Sequence, residues 1–119
     1  MAKDSKILLV DDSAFMRNVL KNILQGAGYS NFVEAGDGNE AVEKFKSESP
    51  ELVLLDIIMP VKGGVEVLEE IGKDAKVVVI SAVGQDAVIE ESKSKGAIGY
   101  IVKPFDNDQV IAEVKKVIG

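Results

Sequence analysis

The sequence predicts an α/β domain: a doubly wound, five-stranded parallel sheet with helices on both faces. Three observations carry this prediction. Apolar runs of strand length alternate five times with amphipathic runs of helix length. Two strand runs, Leu52 to Leu55 and Lys76 to Ile80, are almost continuously apolar. Unbroken apolarity means burial on both faces, as in a parallel sheet. The chain has 119 residues, which fits one domain spanning 1–119 with little room for a second.

The first strand is Lys6 to Val10. A helix follows from Ser13 to about Gln25, with Phe15, Val19, Leu20, Ile23 and Leu24 near helical spacing and Gly26 and Gly28 ending it. Phe32 to Ala35 is a short strand. Asn39 to about Ser47 is a helix with the stripe Ala41, Val42, Phe45, stopped by Pro50. The third strand, Leu52 to Leu55, ends at Asp56, and Gly64 to about Ile71 is a helix. Lys76 to Ile80 ends at Ser81, and Asp86 to about Lys95 is the next helix. Ile98 to Val102 is the fifth strand, ending at Lys103 and Pro104. Asp106 or Asn107 caps a last helix running nearly to Gly119. This alternation implies the strand order 2-1-3-4-5, the flavodoxin-like arrangement.

Composition narrows the chemistry. The chain has no cysteine and no histidine. That excludes a disulfide framework, a thiolate or imidazole metal site, a cysteine nucleophile and a histidine phosphoacceptor. The net charge of −6 opposes binding to a phosphate backbone, so no nucleic-acid partner is expected. Met1 to Lys6 has no apolar signal core, and the longest apolar stretches, Leu52 to Val61 and Val77 to Ile80, are too short to span a bilayer. The expectation is a cytosolic domain with no membrane partner.

The polar residues that matter all follow strands. Asp11 and Asp12 follow the first, Asp56 the third, Ser81 the fourth and Lys103 the fifth. Taken singly, Asp12 or Ser13 is a helix cap, Asp56 a turn residue and Lys103 a solvated charge. Together they bring three carboxylates, a hydroxyl and an ammonium to the carboxyl edge of the sheet, beside its switch point. Three carboxylates there repel one another unless a cation sits among them. An oxygen-only site suits magnesium, calcium or manganese. Lys103 adds a point charge for a phosphoryl oxygen and Ser81 a hydrogen bond for another. This is equipment for phosphoryl transfer with a carboxylate nucleophile.

These residues carry a family resemblance. Asp11-Asp12, then Asp56 followed by Met59-Pro60 and Gly63-Gly64, then Ser81-Ala82 and Lys103-Pro104-Phe105 resemble the receiver domains of two-component systems over essentially the whole chain. The resemblance implies Asp56 as phosphoacceptor, and Asp11, Asp12, Asp56 and the Ile58 carbonyl as ligands of magnesium, with manganese as the alternative. It implies Ser81 as the switch hydroxyl, Lys103 as the phosphoryl-binding lysine, Tyr100 as the aromatic switch and a cis Lys103-Pro104 bond. Asp11 to Arg17 (Asp-Asp-Ser-Ala-Phe-Met-Arg) and Ser81 to Gln85 (Ser-Ala-Val-Gly-Gln) most resemble the CheY family of chemotaxis receivers of archaea and of bacteria outside the enteric group. The implied partners are a chemotaxis histidine kinase of the CheA type, a flagellar or archaellar motor switch protein or adaptor, and a phosphatase of the phosphorylated receiver. The expectation is a free-standing receiver without an output domain, signalling through its fourth helix, fifth strand and fifth helix, and not a turnover enzyme.

Gln85, Asp86, Glu90 and Glu91 make the start of the fourth helix acidic, whereas the enteric type is lysine-rich there. Ile58 and Val83 lie two residues past Asp56 and Ser81, and both are apolar. Neither can orient an attacking water, so slow self-dephosphorylation is expected. Three alternatives remain at this level. One is a phosphorelay or phosphate-sink receiver. Another is a magnesium-dependent phosphatase working through an aspartyl-phosphate, although Ser13 stands where that class has its second aspartate. The third is a flavin module, although Asp11 and Asp12 would repel its phosphate.

Overall fold

The computed structural model describes residues 4–59 and 62–119. The elements are β1 (Ile7–Val10), α1 (Ala14–Gly26), β2 (Phe32–Ala35), α2 (Gly38–Glu48), β3 (Leu52–Leu55), α3 (Gly64–Ile71), β4 (Val77–Ser81), α4 (Asp86–Ser94), β5 (Ala97–Val102) and α5 (Asn107–Ile118). The five strands form one parallel sheet in the order β2-β1-β3-β4-β5, as the sequence predicts.

Side chains of the central strands alternate between two apolar layers because the strand period is two. Ile7, Leu9, Leu52, Leu54, Val78 and Ile80 join Leu20, Ile23 and Leu24 of α1 and Val110 and Val114 of α5. Leu8, Val10, Val53, Leu55, Val77 and Val79 join Ala41 and Val42 of α2 and Val67, Leu68 and Ile71 of α3. Every residue of β1, β3 and β4 is buried. Burying side chains of this size stabilises by about 1.5–3 kcal/mol each. The two layers thus make a rigid frame whose strand ends hold position.

The register levels the ends of the central strands. Val10 of β1 pairs with both Ala35 of β2 and Leu55 of β3, so Asp11 and Asp56, the next residues, leave the sheet side by side. The Asp56 amide donates to the Val10 carbonyl at 3.0 Å, which extends the ladder to the site itself.

Several boundaries differ from the sequence prediction. Lys6 and Lys76 lie just outside β1 and β4, and Ser81 closes β4 instead of following it. Helix α1 includes Gly26, and Ser13 is its cap, accepting from the Met16 amide at 3.2 Å. Helix α2 runs to Glu48 and ends in a left-handed Ser49 (φ 49), before Pro50. Lys95 caps α4 from outside it. Asp106 precedes α5, but its side chain makes no capping bond. Phe15 sits in the periodic stripe of α1 yet is 76% exposed, because it faces the carboxyl edge where the sheet has ended. Strand β5 begins at Ala97 and pairs with β4 across a register shift: Val77 meets Ala97, while Val78 meets Gly99. The skipped Ile98 is left without a paired residue on β4 and is exposed, on the outward phase of β5. No helix among the described residues is long and apolar enough to cross a membrane.

Candidate functional site

Four loops at the carboxyl edge build the site. Asp11 is nearly buried and held on every side. Its amide donates to the Ala35 carbonyl at 3.2 Å, its Oδ1 accepts from the Ser13 amide at 2.9 Å and its Oδ2 accepts from Lys103 Nζ at 3.0 Å. Asp56 is buried too. Its Oδ1 accepts from the Ile58 amide at 3.2 Å and its Oδ2 from Lys103 Nζ at 3.3 Å. Asp12 is exposed at the mouth. One carboxylate oxygen from each of Asp11, Asp12 and Asp56 lies within 4.8 Å of the others.

Lys103 Nζ bridges the two buried carboxylates, joining positions 92 and 47 residues away in sequence. Burial works against its ammonium. The Asp11 hydrogen bond and the charges of Asp56 and Asp11 outweigh that effect and hold its pKa above the ordinary 10.5, so Lys103 is charged. The Lys103-Pro104 peptide is cis, as expected. The Lys103 amide donates to the Ser81 carbonyl at 2.8 Å, tying the β5 exit to the end of β4.

Ser81 is fully buried and its Oγ accepts from the Val83 amide at 3.3 Å. Tyr100 of β5 is half-buried, and its hydroxyl donates to the Val83 carbonyl. Burial pushes this hydroxyl above the ordinary 10.0; the Ser81 hydroxyl pulls it down and the charge of Asp56 pushes it up. Tyr100 and Ser81 therefore meet on the same short loop. Ile58 is 61% exposed beside Asp56. Met59 is described and Pro60 lies outside the described residues; Gly64 tucks under the loop, its amide donating to the Ile57 carbonyl at 2.7 Å.

The three carboxylates offer only oxygen donors, with open space on the Asp12 side, so the residues present fit a hard divalent cation such as magnesium. The cluster also stores repulsion: two unit charges about 4 Å apart repel by about 1 kcal/mol even in water. Among the described residues no cation pairs with Asp12. We therefore expect Asp12→Asn to raise the metal-free melting temperature by about 2–4 °C, a gain that shrinks with added salt. Thermal denaturation in chelator, with and without salt, checks it.

Sequence reasoning missed one group of contacts. Arg17 of α1 donates through Nη1 to the Asp11 carbonyl at 2.5 Å and through Nε to Glu34 of β2 at 2.8 Å. Lys21 Nζ takes the other Glu34 oxygen at 2.7 Å. The hydrogen bond from Lys21, then that from Arg17, hold the Glu34 carboxyl below its ordinary 4.5. A charge inside the short strand Phe-Val-Glu-Ala was the available signal.

With this geometry established, comparison with known proteins decides the family. Residues 7–115 match the response regulator receiver domain. The chain belongs to that family. The receiver is 45% identical to the chemotaxis protein CheY of Thermotoga maritima, over 94% of this chain and 96% of that protein. It is 40% identical to the CheY of Halobacterium salinarum, over 99% and 98%. A crystal structure of a CheX–CheY–BeF3–Mg complex from Borrelia burgdorferi contains a chain with a TM-score of 0.90 and 37% identity, covering 97% of this receiver and 90% of that chain. The receiver is thus a response regulator of CheY-like fold, and its acidic cluster is compatible with magnesium.

Proposed function

We propose that the chain is a chemotaxis response regulator that accepts a phosphoryl group on Asp56 from a histidine kinase of the CheA type, with magnesium. The observation that carries this reading is the placement of Asp56: nearly buried at the end of β3, one oxygen on Lys103 and its carboxylate beside those of Asp11 and Asp12. The CheY relatives, and the beryllium fluoride and magnesium in the Borrelia CheX–CheY complex, support it.

Asp11, Asp12, Asp56 and the Ile58 carbonyl would hold magnesium, which would neutralise charge on the incoming phosphoryl oxygens. An Asp56 oxygen attacks phosphorus in line with the phosphohistidine nitrogen. The P–O bond forms as the P–N bond breaks, and the electron pair leaves with the imidazole. Lys103, already within hydrogen-bond reach of Asp56, moves its charge onto a phosphoryl oxygen. Ser81 swings toward another. Because Ser81 and Tyr100 both bond the main chain of Val83, that swing is felt at once by the β4–α4 loop and the tyrosine ring. The face of α4, β5 and α5 then favours a motor-side switch protein or adaptor, a shift between pre-existing states. The Ile58 and Val83 side chains offer no polar group to orient water, so self-dephosphorylation is slow and a phosphatase hastens loss of the phosphoryl group. The domain acts as a switch and not as a turnover enzyme.

Incubation with radiolabelled, phosphorylated CheA-type kinase tests this. The label is expected to move to the receiver within seconds when magnesium is present, and to stay on the kinase with Asp56→Asn. Transfer from an unrelated histidine kinase, with none from the chemotaxis kinase, would sink the chemotaxis assignment.

A further inference from the structure

We propose that Arg17 is a positioning residue for the acidic pair: its guanidinium bridges Glu34 on β2 and the Asp11 carbonyl, fixing the β1–α1 loop so that Asp11 and Asp12 reach one cation. The inference rests on reading Asp11, Asp12 and Asp56 as the magnesium site.

Only Asp11, Asp12 and Ser13 separate β1 from α1. The Asp11 side chain and amide are fixed by Lys103, Ser13 and Ala35, all on the sheet or the loop. Its carbonyl is fixed by Arg17, at 2.5 Å. That carbonyl belongs to the same rigid peptide plane as the Asp12 amide, so its direction sets where the Asp12 side chain leaves the backbone. Arg17 in turn cannot swing. Its Nε is held by Glu34, and Glu34 is held by Lys21 at its second oxygen and by Lys44 Nζ, at 2.8 Å, on its main-chain carbonyl. Two nitrogens of one planar fork thus engage two different elements at a spacing the fork fixes, which the single nitrogen of a lysine does not reproduce.

Charge and position predict opposite outcomes here, which makes the proposal decidable. Arg17 is a cation near a cation site, so on charge alone its removal tightens magnesium binding. If it positions the loop, its removal weakens binding, because partners that orient metal ligands typically contribute about 10–100-fold in affinity.

The test is the magnesium dissociation constant by titration calorimetry for the wild type, Arg17→Ala, Arg17→Lys and Asp12→Asn. Urea unfolding and metal-free amide exchange at Asp12 and Ser13 accompany it. We expect Arg17→Ala to raise the dissociation constant about tenfold and to speed exchange at Asp12 and Ser13 but not at Asp56. Arg17→Lys, with its charge intact, should shift both in the same direction by less. An unchanged or lower dissociation constant in Arg17→Ala, with only the urea midpoint reduced, overturns the proposal and leaves Arg17 a structural ion pair. Failure of the wild type itself to bind magnesium overturns the metal-site reading and this inference with it, and differs from the previous outcome in the wild-type trace.

Discussion

Withdrawing magnesium slows phosphorylation of Asp56 by a small phosphodonor by about a hundredfold or more, and Asp11→Asn does nearly the same in its presence. Three carboxylates crowd within 4.8 Å, and a phosphodonor brings further negative charge to them. Lys103 supplies one positive charge, already shared between Asp11 and Asp56. Without a divalent cation the site stays net negative as the donor approaches, and the repulsion falls on the transition state. Asp11→Asn removes the carboxylate that is best fixed, through Ser13, Lys103 and Arg17. The residual rate reflects Lys103 and proximity alone. Initial rates by mass spectrometry in magnesium and in chelator measure the effect; a fall of less than threefold would show that the acidic pair does not serve the reaction.

Alanine at Gly96 lowers stability by about 3 kcal/mol and the melting temperature by about 10 °C or more. Gly96 sits at φ +118, a conformation that side chains strain. An added Cβ would also lie 2.5 Å from the Gly72 carbonyl oxygen and 2.7 Å from its carbon. Both are backbone atoms of the residue that ends α3, so neither can turn aside. Gly72 is equally confined, since its own Cβ would lie 2.1 Å from the Lys95 carbonyl oxygen. The turn into β5 and the end of α3 therefore press backbone against backbone. Gly26, at the end of α1 with nothing within 4 Å of a Cβ, is the control: alanine there is expected to be neutral or stabilising by about 0.5 kcal/mol. Calorimetry of the two variants decides; equal melting temperatures would mean that the packing between α3 and the β5 turn is loose.

The sheet order and the site rim were legible because β1, β3 and β4 are continuously apolar and stop at polar residues. A run that is buried on both faces announces itself, and the residue after it must lie at the edge. Helix α1 shows where periodicity misleads: Phe15 fits the stripe, yet the stripe outruns the sheet and leaves its ring in solvent. The irregular pairing at Ile98 was equally hidden, since a register shift depends on the partner strand.

Within the site, the neighbourhood was legible and the bonds were not. That Asp11, Asp56 and Lys103 share a rim follows from strand ends. That one ammonium bridges both carboxylates depends on rotamers and on the level register of Val10 with Leu55. The acceptor of Tyr100 is a main-chain carbonyl, which leaves no trace in residue types. Arg17 and Glu34 left one trace, a glutamate inside a four-residue strand.

The most direct test of the central claim is the intact mass of the protein after incubation with a small-molecule phosphodonor. It is run with magnesium, with chelator, and on Asp56→Asn. One added phosphoryl group, present with magnesium and absent both in chelator and in the variant, is the predicted result. The same addition on Asp56→Asn, or none on the wild type, would contradict it.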